Sequence, residues 1–285
     1  MAKFRTCWVS DIHLGTRGSK ARAFLDFIRD HEFETLYLVG DIIDIWALRR
    51  TIYWPQEHND VIQKILRLGR KGTEVIYIPG NHDEYVDGFI GNYGAVKIRK
   101  NAIHTTAAGE RILIIHGHEL DTVVQNMGWL AHIGDLGYKL LMRANGLVNF
   151  VRRHFGLGYW SLSAYVKNEV KNIVSFIGKF EDAVVRYAHD YEVDGVLCGH
   201  IHRPALHRLQ ETNYYNSGDW VESCTALVEN ADGQIELMQI TPTEYGSGSK
   251  EPPEVDEDDE ATENAEASSR TPMCEPAGGM APPSS

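Results

Sequence analysis

Five short motifs combine aspartate, histidine and asparagine, the oxygen and nitrogen donors that divalent cations take in proteins. They are Asp11-x-His13, Gly40-Asp41-x-x-Asp44, Gly80-Asn81-His82-Asp83, His116-Gly117-His118 and Gly199-His200-x-His202. In an extended segment, residues two apart point the same way, so both side chains of an Asp-x-His or His-x-His pair reach one site. One carboxylate can bridge two cations that lie about 3.5–4 Å apart. The motifs together predict a two-metal phosphoester hydrolase, with candidate ligands Asp11, His13, Asp41, Asn81, His116, His200 and His202.

Each motif follows a short apolar run, and these runs give the fold class. They cover residues 4–9, 35–39, 75–78, 111–115 and 195–198. Apolar runs of this length without alternation predict strands that are covered on both faces. Helix-length segments at 19–31 and 56–70 lie between them. This alternation predicts an α/β layered fold with its ligands at the carboxyl ends of the strands.

The later part of the chain has a different pattern. Strand candidates at 212–216, 225–229 and 234–240, the last two joined by a turn at Asn230-Ala231-Asp232-Gly233, predict antiparallel strands that complete a second sheet. Residues 121–188 have apolar side chains at helical spacing, which predicts several short helices and a longer one at 163–187. We expect this helical insertion to form a lid over the site. Residues 1–243 would then be the phosphoesterase domain, and 244–285 an acidic disordered tail.

Composition limits the possible partners and compartment. The formal net charge is −12, and residues 241–285 carry −9 of it, so we expect no nucleic acid partner. Four scattered cysteines without a Cys-x-x-Cys pair predict neither a disulfide framework nor a thiolate zinc site. The chain starts without a long apolar leader and contains no apolar run of about 18 residues. These features predict a cytoplasmic enzyme. The sequence gives no oligomeric state.

The five motifs resemble the full signature of the calcineurin-like metallophosphoesterase superfamily, over about residues 3–240. The resemblance implies a two-sheet β-sandwich flanked by helices. It also implies a first metal on Asp11, His13, Asp41 and His202, and a second on Asp41, Asn81, His116 and His200, with Asp41 bridging. The cofactors would be two divalent ions, commonly Mn²⁺, with Fe or Zn in some members. His118 is not a ligand in this scheme.

Two further residues have expected roles in catalysis. Because His82 directly follows the candidate ligand Asn81, we expect it to protonate the leaving group or stabilise its charge. By family resemblance, Asp44 orients His82 and favours its charged form. The alternative for Asp44 is a helix N-cap. The metals would supply an activated water at neutral pH and offset the charge that develops on phosphorus.

The substrate class follows from a narrower resemblance. The insertion and the segment Asn216-Ser217-Gly218-Asp219-Trp220 are similar to UDP-2,3-diacylglucosamine pyrophosphohydrolases, enzymes of lipid A synthesis. Those enzymes carry Arg at the position of His82, and the segment Asp121-Thr122-Val123-Val124 is a partial match to theirs. A related lipid-linked phosphodiester is therefore a second possible substrate. Asp121, Lys167 and Lys171 are candidate substrate contacts, although the two lysines could equally be solvated.

The same fold allows other functions. A phosphodiesterase acting on a nucleotide or another phospholipid would use the same residues. A lid over the metals disfavours a phosphoprotein phosphatase, and a complete ligand set together with His82 disfavours a non-catalytic scaffold. Basic residues in the insertion could give peripheral contact with the inner face of a membrane. Alternatively, the apolar residues of the insertion form its own core.

Overall fold

The computed structural model describes residues 2–120 and 177–241 of the 285-residue chain. All of them lie in one compact unit, Met1–Thr243, and Glu244–Ser285 fall outside it. The predictions made for residues 121–176, and for the tail from residue 242 onward, lie outside the described residues. The domain boundaries and the disorder of the tail therefore stay predictions.

Twelve strands form two sheets. The first sheet has seven strands in the order β12-β11-β1-β2-β3-β5-β4, and the second has five in the order β6-β7-β8-β10-β9. Their bounds are β1 Ala2–Val9, β2 His31–Val39, β3 Glu74–Ile78, β4 Gly91–Tyr93, β5 Val96–Ile98, β6 Ala102–Thr105, β7 Arg111–Ile114, β8 Gly195–Cys198, β9 Ala205–Leu209, β10 Thr212–Asn216, β11 Thr225–Glu229 and β12 Ile235–Gln239.

Helices cover the outer face of the first sheet. They are α1 (Ala21–Asp30) and α3 (Gln56–Arg70), while the short helix α2 (Ile45–Arg50) follows β2. In β1, Cys7 and Val9 belong to the core cluster that contains Phe24 of α1 and Val61 of α3. Trp8, between them, belongs to a different cluster, because successive side chains of a strand point to opposite faces. The second half of the strand, from Thr6 to Val9, is buried on both sides, as the sequence predicted.

The second sheet packs between the first sheet and another helix. Trp8 of the first sheet shares a core cluster with Ile112 and Leu197 of the second. On the other face of the second sheet, Val196 shares a cluster with Phe180, which lies in a helical stretch at residues 177–190, named α4. The fold therefore has four layers, with helices outside and two sheets inside. This confirms the predicted two-sheet sandwich flanked by helices.

The prediction for the late strands was partly wrong. β9 and β10 do join the second sheet, but β10 runs parallel to β8. β11 and β12 belong to the first sheet instead, where β11 lies antiparallel to β1. All five residues of β11 are buried, so this strand needs cover on both faces and takes a place inside the larger sheet. The hairpin between β11 and β12 is present as predicted.

The first sheet brings two motifs to one edge. β1, β2 and β3 run parallel, so Asp11 and Asp41 both emerge at the carboxyl edge. A bridge between Leu14 and Ile43 ties their two loops together. In the second sheet, β7 and β8 are parallel and deliver His116 and His200 in the same way. Within the described residues, no helix is long and apolar enough to cross a membrane.

Candidate metal centre

The backbone is left-handed at five of the seven predicted ligands. The φ angles are 53° at Asp11, 51° at His13, 54° at Asp41, 65° at His200 and 52° at His202. Such conformations cost about 1–3 kcal/mol each in residues other than glycine, and they persist where the surrounding structure enforces them. Backbone hydrogen bonds supply part of that enforcement, since Asp11 donates to Gly40 and His13 donates to Asp41, at 3.0 and 2.9 Å. The strain turns these side chains toward a common centre.

The first group of candidate ligands consists of Asp11, His13 and His202. One ligand atom from each lies within 4.8 Å of the others. His202 Nε2 is 3.1 Å from Asp11 Oδ1, and the Nε2 atoms of His13 and His202 are 3.3 Å apart. Two imidazole nitrogens and a carboxylate oxygen at this spacing match the donor set of a divalent cation.

The second group consists of Asp41, His116 and His200, again with ligand atoms within 4.8 Å of one another. His116 Nε2 lies 3.4 Å from Asp41 Oδ2. Because His116 Nδ1 lies 2.9 Å from the Val39 carbonyl, which can only accept, Nδ1 is the donor and Nε2 is left to bind a cation. Asp41 Oδ1 accepts a hydrogen bond from the backbone N–H of His82 at 2.8 Å, which fixes the carboxylate. Its Oδ2 also lies 3.9 Å from His13 Nε2 of the first group, so Asp41 links the two groups.

Among the predicted ligands, three buried polar atoms have no hydrogen-bond partner within the described residues. They are Asp11 Oδ1, Asn81 Oδ1 and His116 Nε2. The 3.1 Å contact of Asp11 Oδ1 with His202 lacks the angle of a hydrogen bond. Buried polar atoms are costly when unpaired, and a cation would satisfy all three. The donors present therefore fit two divalent ions, while the assignment of each residue as a ligand stays a prediction.

The carboxylates of the centre are ionised at neutral pH. Burial would raise the pKa of Asp11, but His202 and His116 lower it to about 2. Burial opposes ionisation at Asp41 as well, and there the charges of His116, His13 and His82 hold the pKa well below its usual range. Burial would lower the pKa of His116, but the Asp41 carboxylate raises it. The anionic carboxylates thus suit a divalent cation, and binding of the cation would displace the proton that Asp41 favours on His116.

Asp44 contacts two histidines with one oxygen. Its Oδ2 lies 3.1 Å from His13 Nδ1 and 3.1 Å from His82 Nδ1, and only the contact with His13 has hydrogen-bond geometry. Its Oδ1 accepts from the Ala47 backbone N–H at 2.7 Å and caps α2. The contact with Ala47 matches the interpretation of Asp44 as a helix cap, while its role in orienting His82 stays a prediction. His82 Nε2 faces the centre, 3.9 Å from Asp41 Oδ2, with 24% of the side chain exposed.

The motifs contain a residue whose position was not foreseen. Asp83 is fully buried and accepts hydrogen bonds from the backbone of Gly80 and Ile42, at 2.5 and 2.8 Å, and from the Tyr77 hydroxyl at 2.5 Å. It therefore joins the loop that carries Asp41 to the loop that carries Asn81. An aspartate ending the Gly-Asn-His-Asp motif was the available signal, but only the fold shows what the carboxylate holds.

Another supporting residue lies far from the motifs in sequence. His58 of α3 is buried, and its Nδ1 accepts a hydrogen bond from the Gly15 backbone N–H at 3.0 Å. It braces the loop that follows His13. No periodicity or motif distinguishes His58 from an ordinary helix residue, so sequence alone offered no signal for this contact.

Of the remaining predicted positions, only that of His118 lies within the described residues. His118 lies beside the centre, with its ring 5.5 Å from that of His116, and burial lowers its pKa. It is in neither of the ligand groups described above. Asp121, Lys167 and Lys171 lie outside the described residues, so their proposed substrate contacts stay predictions.

A two-sheet sandwich with Asp, His and Asn side chains converging at the carboxyl ends of its strands defines a metal-dependent phosphoester hydrolase. The calcineurin-like phosphoesterase family model matches residues 4–204. The chain belongs to the calcineurin-like phosphoesterase family, and it is a phosphoester hydrolase that uses divalent metal ions. This confirms the family that the five motifs indicated.

The chain is similar to several curated proteins and to solved structures. A UDP-2,3-diacylglucosamine hydrolase of Psychromonas ingrahamii is 26% identical over 254 residues, covering 82% of this chain and 96% of the relative. One of Pseudomonas savastanoi pv. phaseolicola is 31% identical over 215 residues, covering 71% of this chain and 81% of the relative. Among solved structures, protein PH1004 of Pyrococcus horikoshii matches with a TM-score of 0.46 at 12% identity, covering 84% of this chain and 88% of that one.

Proposed function

We propose that the protein hydrolyses the pyrophosphate bond of UDP-2,3-diacylglucosamine, or of a closely related lipid-linked phosphodiester, with two Mn²⁺ ions bound. The observation that carries the reaction type is the position of Asp41, which has a ligand atom within 4.8 Å of those of His116 and His200 and also within 4.8 Å of that of His13 in the first group. The relatives named for UDP-2,3-diacylglucosamine hydrolysis support the substrate. We further propose that the enzyme works in the cytoplasm, at the inner face of the membrane that holds such a lipid.

The chain holds the metals with the residues already grouped. Asp11, His13, Asp41 and His202 would bind the first ion, and Asp41, Asn81, His116 and His200 the second. When bound, the ions supply a nucleophilic water at neutral pH and offset the charge on the reacting phosphoryl group. The polypeptide contributes the fixed geometry, because strained backbone and buried hydrogen bonds hold the donors in place before any ion arrives.

His82 acts on the leaving group. The reaction forms a bond between phosphorus and the oxygen of water and breaks the bond between that phosphorus and the bridging oxygen. The bridging oxygen stays on the leaving group, which is a phosphate monoester. His82 Nε2 faces the centre and is accessible from solvent, so it can donate a proton or hydrogen bond to that oxygen. Ionised Asp44 at Nδ1 stabilises the positive charge of a protonated ring. The second pKa of a phosphate monoester is only about 6. A hydrogen bond from His82 therefore stabilises the charge on this leaving group without complete proton transfer.

The experiment is an assay of purified protein with Mn²⁺ and UDP-2,3-diacylglucosamine. Release of UMP and diacylglucosamine 1-phosphate by the wild type, and its loss in Asn81→Ala, is the expected result. Bis(p-nitrophenyl) phosphate is the generic control. Turnover of the generic diester without UMP release would overturn the lipid substrate and leave the metal chemistry standing.

A second candidate is a phosphodiesterase for a different membrane-derived or nucleotide diester. The imidazole of His82, where the lipid A enzymes carry arginine, favours it, because a guanidinium binds phosphate through a planar fork that imidazole lacks. Replacing His82 with Arg separates the two. A gain of UMP release by His82→Arg, from a wild type with little, would favour this second candidate.

A further inference from the structure

The His82 ring is packed against an indole that no motif includes. The centroids of the Trp46 and His82 rings lie 4.5 Å apart, and the ring planes are tilted by 35°. The other described ring in contact with His82 is that of His13, at 4.8 Å and nearly perpendicular. His82 therefore has one aromatic neighbour in a close, tilted ring contact and one that meets it edge to face.

Hydrogen bonding alone does not orient His82. Its Nδ1 lies 3.1 Å from Asp44 Oδ2 but outside hydrogen-bond geometry, and Nδ1 has no other hydrogen-bond partner among the described residues. Rotation of an imidazole about its last side-chain torsion has broad minima, so a weakly tethered ring turns easily. A large flat group packed closely against the imidazole restricts that rotation. Trp46 is the side chain placed to do so.

The position of Trp46 is fixed by the backbone. It is the second residue of α2, a six-residue helix too short to persist without support. Asp44 caps this helix, and the Ile45 backbone N–H donates to the His82 carbonyl at 3.1 Å. The helix is thus bonded directly to the residue whose ring it covers. None of the α2 side chains is buried, and Trp46 itself is 40% exposed, so core packing does not account for this placement.

We propose that Trp46 is a positioning residue for the hydrolytic reaction, holding the His82 imidazole so that Nε2 is directed at the leaving oxygen. This inference rests on the proposed function, because it needs His82 to act on the leaving group. It predicts that Trp46 affects turnover through His82, without affecting the metals.

The test compares Trp46→Ala with Trp46→Phe, which keeps an aromatic face, and with His82→Asn as a reference. Methyl p-nitrophenyl phosphate carries a good leaving group and methyl phenyl phosphate a poor one that needs protonation. Since general acid catalysis contributes about 10²–10⁴-fold, we expect Trp46→Ala to lower kcat for the phenyl ester about tenfold more than for the nitrophenyl ester. His82→Asn should show the same preference more strongly, and Trp46→Phe should remain near wild type.

A readout independent of activity uses proton NMR of the Zn²⁺-loaded protein, since Zn²⁺ is diamagnetic. The His82 ring protons, assigned with His82→Asn, should be shifted upfield by the indole, lose that shift in Trp46→Ala and keep most of it in Trp46→Phe. Metal content should stay unchanged in all three variants. Unchanged His82 resonances and an unchanged leaving-group ratio in Trp46→Ala would overturn the proposal.

Failure of the proposed function would look different. If His82→Asn itself shows no leaving-group preference, His82 is not the group that acts on the leaving oxygen, and the catalytic part of the inference falls with it. A His82→Asn preference that Trp46→Ala does not share would overturn the positioning role alone.

Discussion

Asp44 fixes the tautomer of His13. Asp44 Oδ2 lies 3.1 Å from His13 Nδ1 with hydrogen-bond geometry. Burial would raise the pKa of Asp44, but His13 and His82 lower it below its usual value, so the carboxylate is ionised. An ionised carboxylate can only accept, so the proton of a neutral His13 ring sits on Nδ1 and the lone pair on Nε2. Nε2 is the nitrogen that faces Asp11 and Asp41, at 3.9 Å from each.

Replacing this carboxylate should weaken metal binding. In Asp44→Asn the amide can still cap α2 with its oxygen, which leaves the amide nitrogen to face His13 Nδ1 and favours the wrong tautomer. We expect metal affinity to fall about 10–100-fold, as for other residues that hold a ligand in place. Titration with Zn²⁺ or Mn²⁺ by calorimetry measures this. Asp26→Asn, at an exposed ion pair of α1, is the matched control and should bind metal as the wild type does.

Asp41 should be required for both ions at once. Its carboxylate links the two ligand groups, because Oδ2 lies 3.4 Å from His116 Nε2 of the second group and 3.9 Å from His13 Nε2 of the first. We expect Asp41→Asn to lose both ions and all turnover of bis(p-nitrophenyl) phosphate, because a neutral amide cannot bridge two cations. Elemental analysis of the purified variant gives the metal content.

His118→Ala is the comparison for that measurement. His118 lies beside the centre but outside the ligand groups, so the variant should keep its full metal content. A variant at Asp41 that retains both ions, or one at His118 that loses one, would contradict the assigned ligand set.

Gly80 has no room for a side chain. A Cβ at this position would lie 2.3 Å from Asp41 Oδ1 and 2.6 Å from the Asp41 backbone nitrogen, and the backbone cannot yield cheaply. We expect Gly80→Ala to lower the free energy of unfolding by about 1–3 kcal/mol and to weaken metal binding through Asp41. Gly88→Ala is the control, since nothing lies within 4 Å of its Cβ and about 0.5 kcal/mol or less is expected there. Urea unfolding and metal titration of both variants make the comparison, and equal effects would contradict it.

The sequence predicted the strands and motifs of the site well for a physical reason. Each motif follows a strand with buried residues at its end, so local pattern and burial both mark it. β1 and β8 are examples, ending just before Asp11 and His200. Parallel pairing then brings such ends to one edge, a rule that needs no knowledge of the particular chain.

The features that sequence did not predict depend on long-range pairing. Residues 225–229 read as a strand, yet their place beside β1 depends on which sheet can bury both faces. The contact of His58 with Gly15 spans 43 positions, and that of Trp46 with His82 spans 36 positions. Ring stacking and single side-chain hydrogen bonds leave no periodic trace, so only the folded chain reveals them.

A buried polar cluster away from the metal centre should make the free energy of unfolding depend on pH. The Glu229 carboxylate is fully buried and accepts hydrogen bonds from Thr6 at 2.7 Å, the Ala107 backbone at 2.8 Å and Arg5 at 2.7 Å. His104 Nε2 lies 2.9 Å from it. Burial would raise the pKa of Glu229, but His104 and the other donors lower it to about 2. These contacts join β1 and β11 of the first sheet to β6 of the second and to the turn after it.

A depressed carboxyl pKa stabilises the fold above the unfolded-state value, here 4.5, and that contribution is lost as pH falls toward 2. Glu229→Gln should therefore lower the free energy of unfolding by about 2 kcal/mol near pH 7, with the difference from wild type shrinking toward about pH 3. Urea unfolding across that range measures it. Glu211→Gln, at a side chain 95% exposed beside Arg208, is the control and should match wild type throughout. A Glu229→Gln deficit that stays constant from neutral to acid pH would mean that packing, and not the carboxylate charge, joins the two sheets here.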